Sequence, residues 1–230
     1  MEIRCATFET GYRELMGALA YRPDYVCRPR GQLVHELLGF SLVLDDPRAR
    51  LLASPARAAD RGFGAGEFCW YLRGADDLKS IAYYSRRMRD FSDDGRTLAS
   101  AYGKRLLTTT PGDGSWPQWT NVVEELMRDN DSRRAVMSIY CPADLARARA
   151  PGGAKDVPCT LSMQFLVRRD GRDVPHLHLF VTMRSCDAVW GLTNDLFSFT
   201  LLQEAMLLDL REAGLADLDR IIGGFRAPQS

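Results

Sequence analysis

The sequence predicts an α+β fold, and three observations carry that reading. Strand-like and helix-like stretches are mixed without a regular strand–helix–strand beat. Two long strands, 159–168 and 176–183, are joined at Asp170-Gly171, and the second alternates clearly between Leu177, Leu179, Val181 and His178, Phe180, Thr182. A long stretch over 191–210 has helical character and is too apolar to lie on a surface.

The remaining elements follow in order. Residues 7–19 have the periodicity of an amphipathic helix. Residues 33–44 alternate weakly and predict one strand, ended by Asp45-Asp46-Pro47. A helix opens over 67–72 and resumes over 78–88, before the turn Ser92-Asp93-Asp94-Gly95. Residues 119–128 are helical up to Asp129-Asn130-Asp131, and 135–140 form a short apolar strand. A Gly/Pro-rich loop covers 150–156, and one more strand is expected near 218–222. No repeat, low-complexity segment or domain boundary interrupts the chain, so residues 1–230 are read as one domain.

Composition narrows the function. A chain of 230 residues buries roughly 70–75% of the surface its extended form exposes, so it needs no disulfide or metal staple. Thirty basic residues balance thirty acidic ones, so no domain-wide basic field invites nucleic acid. Only Lys79, Lys104 and Lys155 are lysines; the other basic residues are arginines, whose planar forks suit phosphates and carboxylates. No apolar run reaches the length of about 18 residues that would predict a membrane span. The start, with Glu2 and Glu9 and no apolar core, predicts no signal peptide. Six scattered cysteines form no CxxC pair, which argues against zinc and thioredoxin-type chemistry. A cytoplasmic enzyme with mostly buried thiols and no metal is expected.

Three segments concentrate chemistry. In Asp156-Val157-Pro158-Cys159-Thr160, the proline fixes the approach to a cysteine at a strand edge. Cys159 is either a small core residue or a nucleophile whose thiolate needs a positive neighbour. In Met183-Arg184-Ser185-Cys186-Asp187, polar side chains crowd the end of an apolar strand and need partners or a ligand. In the run from Gly66 to Gly74, Glu67 is the one acid among Phe68, Trp70, Tyr71 and Leu72. Its carboxyl either moves protons near neutrality, with a raised pKa, or complements a helix N-terminus.

Taken in order, Glu67 in ExxWxLRG, Tyr102-Gly103-Lys104, Asp131-Ser132-Arg133-Arg134, Pro158-Cys159, and Arg184-Ser185-Cys186-Asp187 followed by Gly191-Leu192 resemble the thymidylate synthase superfamily over residues 25–210. The resemblance implies a mixed β-sheet packed against a long buried helix, and a sheet-to-sheet homodimer with shared active sites. It implies that Cys159 adds to C6 of a pyrimidine nucleotide, so that C5 attacks the methylene of 5,10-methylenetetrahydrofolate. Arg184 would hold phosphate and favour the Cys159 thiolate, and Ser185 would touch the same phosphate. Arg133 and Arg134 would reach that phosphate across the dimer. Glu67 would relay protons through water, Tyr102 would help remove the C5 proton, and Asp187 would bond the pterin, with Trp70 also at the folate site. The phosphate loop departs from the family pattern: Cys27-Arg28-Pro29-Arg30-Gly31 has Pro29 at the usual basic place, and Arg30 is preferred over Arg28 as its substitute.

Within the superfamily, Gly191-Leu192-Thr193-Asn194-Asp195 resembles the dCMP hydroxymethylases, which carry Asn-Asp here where synthases have asparagine. An ionised Asp195 only accepts hydrogen bonds, which suits the cytosine amino group and opposes uracil O4. Alternatively Asn194 enters the pocket and Asp195 merely caps. The synthases' tryptophan pair is missing: Arg86 to Phe91 holds only Phe91 as an aromatic, which predicts looser folate stacking and hydration rather than reduction. Thr160 stands where synthases have histidine, and His35, His176 and His178 match no family motif. The sugar-binding His-x-Tyr of the deoxynucleotide enzymes is absent before Ser230, so either a rebuilt sugar site or a missing C-terminal part is implied. A rebuilt site would admit ribose, as in CMP hydroxymethylases of nucleoside-antibiotic pathways, and CMP is ranked ahead of dCMP.

Overall fold

The alternating strands build the centre of the molecule. In a computed structural model of the chain, which describes residues 1–54, 57, 60–108, 117–218 and 220–226 but not the side chains of residues 30, 220 and 222–226, β6 (Thr160–Arg169) pairs antiparallel with β7 (Pro175–Met183). Leu177, Leu179, Val181 and Met183 face the core, and each is under 4% exposed. Around this pair a mixed six-stranded sheet forms in the order β1-β4-β8-β7-β6-β5. Its other strands are β1 (Glu2–Cys5), β4 (Ser41–Leu44), β5 (Val136–Ser138) and β8 (Arg220–Arg226). Strands β7 and β8 run parallel, as do β1 and β4, so both parallel pairs need crossovers, and the helices supply them.

The longest helix, α7 (Gly191–Ala213), packs on β7 and β8, while α5 (Gln118–Arg128) packs on β6 and α7. Leu192, Leu196, Phe199, Leu202, Met206 and Leu210 of α7 are all buried. These positions step by three or four residues, which is the stripe a helix needs to cover a sheet. Gly214, at φ +129°, ends the helix in a conformation that favours glycine. Helix α1 (Phe8–Tyr21) starts where the Thr7 hydroxyl accepts from the Thr10 amide and lays Phe8, Leu15 and Leu19 against β1 and β4.

The predicted strand over 33–44 is two strands. β3 (Val34–Glu36) pairs with β2 (Tyr25–Cys27) in a separate small ribbon, whereas β4 enters the main sheet. Gly39, at φ +61°, separates them with a turn that other residues adopt at a cost. The helix around Glu67 begins earlier than its apolar run: α2 (Arg61–Leu72) is capped by Asp60, whose Oδ1 accepts from Phe63 N at 3.0 Å. α3 (Leu78–Tyr84) follows, capped by Asp77. A 3₁₀ segment, Arg86–Phe91, replaces the continuous helix expected there. Helices α4 (Tyr102–Leu107) and α6 (Pro142–Arg149) complete the set. No helix among the described residues is long and apolar enough to cross a membrane.

Candidate active site

One end of the sheet collects the reactive side chains. The ladder between β6 and β7 pairs Thr160 with Met183 but Ser162 with Thr182, so an extra residue bulges at Leu161. Bulges bend a strand and re-aim its side chains. Just before this bend lies Cys159, whose carbonyl accepts from Arg184 N at 2.9 Å. The two strand ends thus present a thiol and a guanidinium side by side. Arg184 Nη2 donates to Cys159 Sγ at 3.7 Å. The same guanidinium donates to the carbonyls of Pro158 (Nε, 2.9 Å) and Val157 (Nη2, 3.0 Å). A cation held by the backbone beside a sulfur stabilises the thiolate, which is the nucleophilic form. Ser185 follows on the same strand end, and Cys186 is packed into the core.

Tyr102 reaches this corner because α4 lies hard against α2. At Gly103, an added Cβ would stand 2.3 Å from the Tyr71 carbonyl oxygen, so only glycine permits the approach. The Tyr102 ring then stacks on Phe199 (6.3 Å, 18°) and tilts against Tyr71 (5.8 Å). Its phenol oxygen accepts the Thr160 amide at 3.2 Å, directly after the nucleophile. Burial first, then the nearby Asp195 and Cys159 charges, push the phenol's ionisation upward. A phenol held protonated is no base by itself; it passes protons along hydrogen bonds. Replacing Tyr102 by phenylalanine keeps the ring packing and loses only that bond. We expect Tyr102→Phe to slow nucleotide C5 proton exchange by about 10²–10³-fold with an unchanged circular dichroism spectrum.

Glu67 projects from α2 beside Tyr71, which packs against Tyr102, and is 8% exposed. Ser198 Oγ donates to its Oε2 at 3.1 Å, and Tyr71 also bonds it. Burial outweighs both bonds and raises the carboxyl to about 7. It is therefore poised to gain or lose a proton near neutrality. Ser198 lies one turn beyond Asp195 on α7, so both are on the face of the helix that meets Glu67. Burial, and then repulsion from Glu67 and Asp187, hold the Asp195 carboxyl well above the usual carboxylate range.

Asn194 is carried to a different side. Its Nδ2 donates to the Trp190 carbonyl at 2.9 Å, and with Thr193 and Phe197 it lines a small cavity against Arg50, Asp60 and Gly64. The structure thus groups Cys159, Arg184, Tyr102, Glu67 and Asp195, and separates Asn194 from them. Arg133 and Arg134 are exposed at the sheet edge ahead of β5, with Arg134 Nε on Glu125 at 2.9 Å. Within one chain they do not join the Cys159 group. The side chain of Arg30 lies outside the described residues.

Trp70, expected at the folate site, is a core residue instead: it is 4% exposed and its indole donates to the Asp77 carbonyl at 3.1 Å. Asp187 is exposed, and its Oδ1 accepts the amides of Val189 (2.8 Å) and Trp190 (2.7 Å), shaping the entry to α7. That entry brings an aromatic group that local spacing did not reveal. Trp190 stacks on Phe91 (6.0 Å, 15°) and on Phe63 (6.2 Å, 27°), and the Arg87 guanidinium sits 4.5 Å over its ring. The region opposite Phe91 is therefore not poor in aromatics; its tryptophan comes from the start of α7. Tyr71 and Ser198 were also missed, although Tyr71 stands four residues after Glu67 and Ser198 three after Asp195, the spacings that share a helix face.

Comparison with known proteins matches this frame. A deoxyuridylate hydroxymethyltransferase of Pseudomonas phage M6 is 36% identical over 146 residues, covering 63% of this chain and 38% of that protein. One from Bacillus phage SP01 is 29% identical over 202 residues, 85% of this chain and 50% of its own length. One from Delftia phage PhiW-14 is 28% identical over 188 residues, 78% of this chain and 49% of its own. The chain thus spans half or less of the length of these relatives. The family described as thymidylate synthase matches residues 60–215, from the cap of α2 to just beyond α7, and so includes Glu67, Tyr102, Cys159, Arg184 and Asp195. The chain belongs to the thymidylate synthase family.

Proposed function

We propose that the chain hydroxymethylates C5 of a pyrimidine nucleotide monophosphate, with cytidylate as its substrate. The observation that carries this reading is the Arg184–Cys159 contact at 3.7 Å, set in one cleft with two protonatable carboxyls, Glu67 and Asp195. The relatives' names, which specify hydroxymethyl transfer, support the outcome. 5,10-Methylenetetrahydrofolate supplies the one-carbon unit as co-substrate. The exposed Asp187 carboxyl and the Trp190–Phe91 stack offer a polar group and a ring surface that fit a pterin-bearing molecule.

The chain's own residues then act in sequence. The Cys159 thiolate forms a bond to C6 and makes C5 carbanion-like, able to take up the one-carbon unit. Tyr102 passes the C5 proton to water, and Glu67 shuttles protons at the base's exocyclic position. The bond between the transferred carbon and the folate nitrogen breaks, which frees tetrahydrofolate and leaves an exocyclic methylene on C5; water adds to that methylene, and the Cys159–C6 bond breaks to release the 5-hydroxymethyl nucleotide. Arg184 and Ser185 hold the phosphate, joined by the Arg30 loop. Arg133 and Arg134 serve the phosphate of a second protomer, because in their own chain they stay at the sheet edge. The face of β6 and β7 turned away from α7 carries half-buried Gln164, Leu166, His178 and Phe180, a surface suited to that sheet-to-sheet pairing.

A second reading places uracil in the site, since the similar phage proteins are named for deoxyuridylate. Product mass with CMP, dCMP, UMP and dUMP, each with methylenetetrahydrofolate, decides among bases and sugars. A gain of one hydroxymethyl group on a cytosine nucleotide is expected, with tetrahydrofolate left behind. A methylated product with dihydrofolate would overturn hydration, and no product from any nucleotide would overturn the activity. A ribonucleotide product would place the chain beside the nucleoside-antibiotic CMP hydroxymethylases.

A further inference from the structure

The Watson–Crick edge of either pyrimidine presents one donor and one acceptor side by side. Uracil offers N3–H and O4; cytosine offers N3 and the N4 amino group. The order is swapped between them. A carboxylate has no donor, so it satisfies one group and opposes a lone pair in either case. A neutral carboxylic acid has one O–H and one C=O, and its proton can reside on either oxygen. It therefore matches both orders equally well.

Asp195 is placed to behave in this way. Among the described residues none hydrogen-bonds its carboxyl, so no neighbour dictates which oxygen carries a proton. The adjacent amide contrasts with it, since Asn194 Nδ2 is pinned on the Trp190 carbonyl at 2.9 Å. The Asp195 carboxyl folds back over the first turn of α7: an added Cβ on Gly191 would lie 3.5 Å from Oδ2. The groups that act on it are Glu67 and Asp187, both acids, from α2 and from the strand end. The phenols of Tyr71 on α2 and Tyr102 on α4 also feel its charge. Tyr102 stacks on Phe199, one turn after Asp195 on α7, and its phenol accepts the Thr160 amide next to Cys159, so Asp195 stands on the helix face turned toward the nucleophile's corner. Its charged form has acids for company and little water, and its raised ionisation follows from that arrangement.

We infer that Asp195 reads the pyrimidine edge as a neutral acid with a movable proton, and that the chain accepts cytosine and uracil nucleotides alike. The inference rests on the functional reading above and extends it from cytidylate to both bases. It also reconciles an aspartate at the base-reading place with relatives named for deoxyuridylate.

The test is calorimetric binding of dCMP, dUMP, CMP and UMP to the intact protein between about pH 7 and pH 9, without folate. For a given sugar, the two bases are expected to bind within about tenfold of each other, with a ratio that does not change with pH. Asp195→Ala is expected to weaken both bases by a similar factor, about 10- to 100-fold, as loss of a two-point base contact does. A preference above about a hundredfold for one base, a ratio that climbs toward cytosine as pH rises, or a loss confined to one base in Asp195→Ala would each overturn the inference. Product mass in parallel separates the two claims. Equal binding without hydroxymethyl product sinks the functional reading and leaves the base inference standing. Turnover of cytosine nucleotides alone does the reverse, whereas turnover of uracil nucleotides alone, or no binding by any nucleotide, sinks both.

Discussion

Cys159→Ala is expected to stop exchange of the nucleotide C5 proton with solvent, a fall of at least about 10⁴-fold. The C5–H bond of a pyrimidine is inert until a nucleophile adds to C6 and turns C5 into a carbanion-like centre. Within the cleft, Cys159 is the thiol held against a guanidinium, with Arg184 Nη2 at 3.7 Å. Cys186 is 2% exposed and packed in the core, so it does not substitute. Alanine removes the sulfur without adding bulk, and the flanking contacts are backbone ones: the Cys159 carbonyl still accepts Arg184 N, and Thr160 N still donates to Tyr102. Nucleotide affinity is accordingly expected to survive. Deuterium loss at C5, followed by mass spectrometry with and without folate, checks the claim. Full exchange by Cys159→Ala would sink covalent addition at this residue, whatever the final product.

The elements that position this site were legible to different degrees. The β6–β7 hairpin and α7 were readable because β7 alternates with a period of two beside a second long strand and α7 is a long, mostly apolar stretch. The 33–44 segment was misread as one strand because a weak alternation passes through Gly39, and only the positive φ there separates β3 from β4. The short strand β1 and helices α4 and α6 have too few residues for periodicity to show. Within the site, ordered motifs named Cys159, Arg184, Tyr102, Glu67 and Asp195, but nothing in their spacing said they would meet. Packing decides that: Gly103 lets α4 touch α2, and the bond from Arg184 N to the Cys159 carbonyl sets the two strand ends side by side. Packing also decided between tryptophans. Trp70, in the motif, faces the core, while Trp190, outside it, stacks with Phe91 because Asp187 fixes the start of α7.

Glu67→Gln is expected to lower turnover and, above neutral pH, to raise stability. In the folded protein the Glu67 carboxyl titrates at about 7, against an ordinary 4.5. A group whose folded value lies above its unfolded value supports folding while it is protonated. That support is whole below the unfolded value and is lost as pH rises through about 7. Above pH 8, ionised Glu67 therefore costs the wild-type protein about 3 kcal/mol relative to acid conditions. Glutamine keeps the shape and keeps an oxygen for the Ser198 hydroxyl, which bonds Oε2 at 3.1 Å, but it cannot ionise. The two proteins should be near equal in urea midpoint at about pH 5, with the glutamine variant ahead by up to about 3 kcal/mol at pH 8.5. Turnover should drop by about 10²–10⁴-fold, the range for removing a general acid–base group. A carboxyl that served only the fold would show the reverse, because replacing it would cost stability and spare chemistry. Urea curves that stay parallel at both pH values would mean that cleft water solvates Glu67 and that burial does not hold its proton. In that case Glu67 would have no reason to titrate near neutrality, and the proton shuttle would have to run through Tyr102 and Asp195 instead.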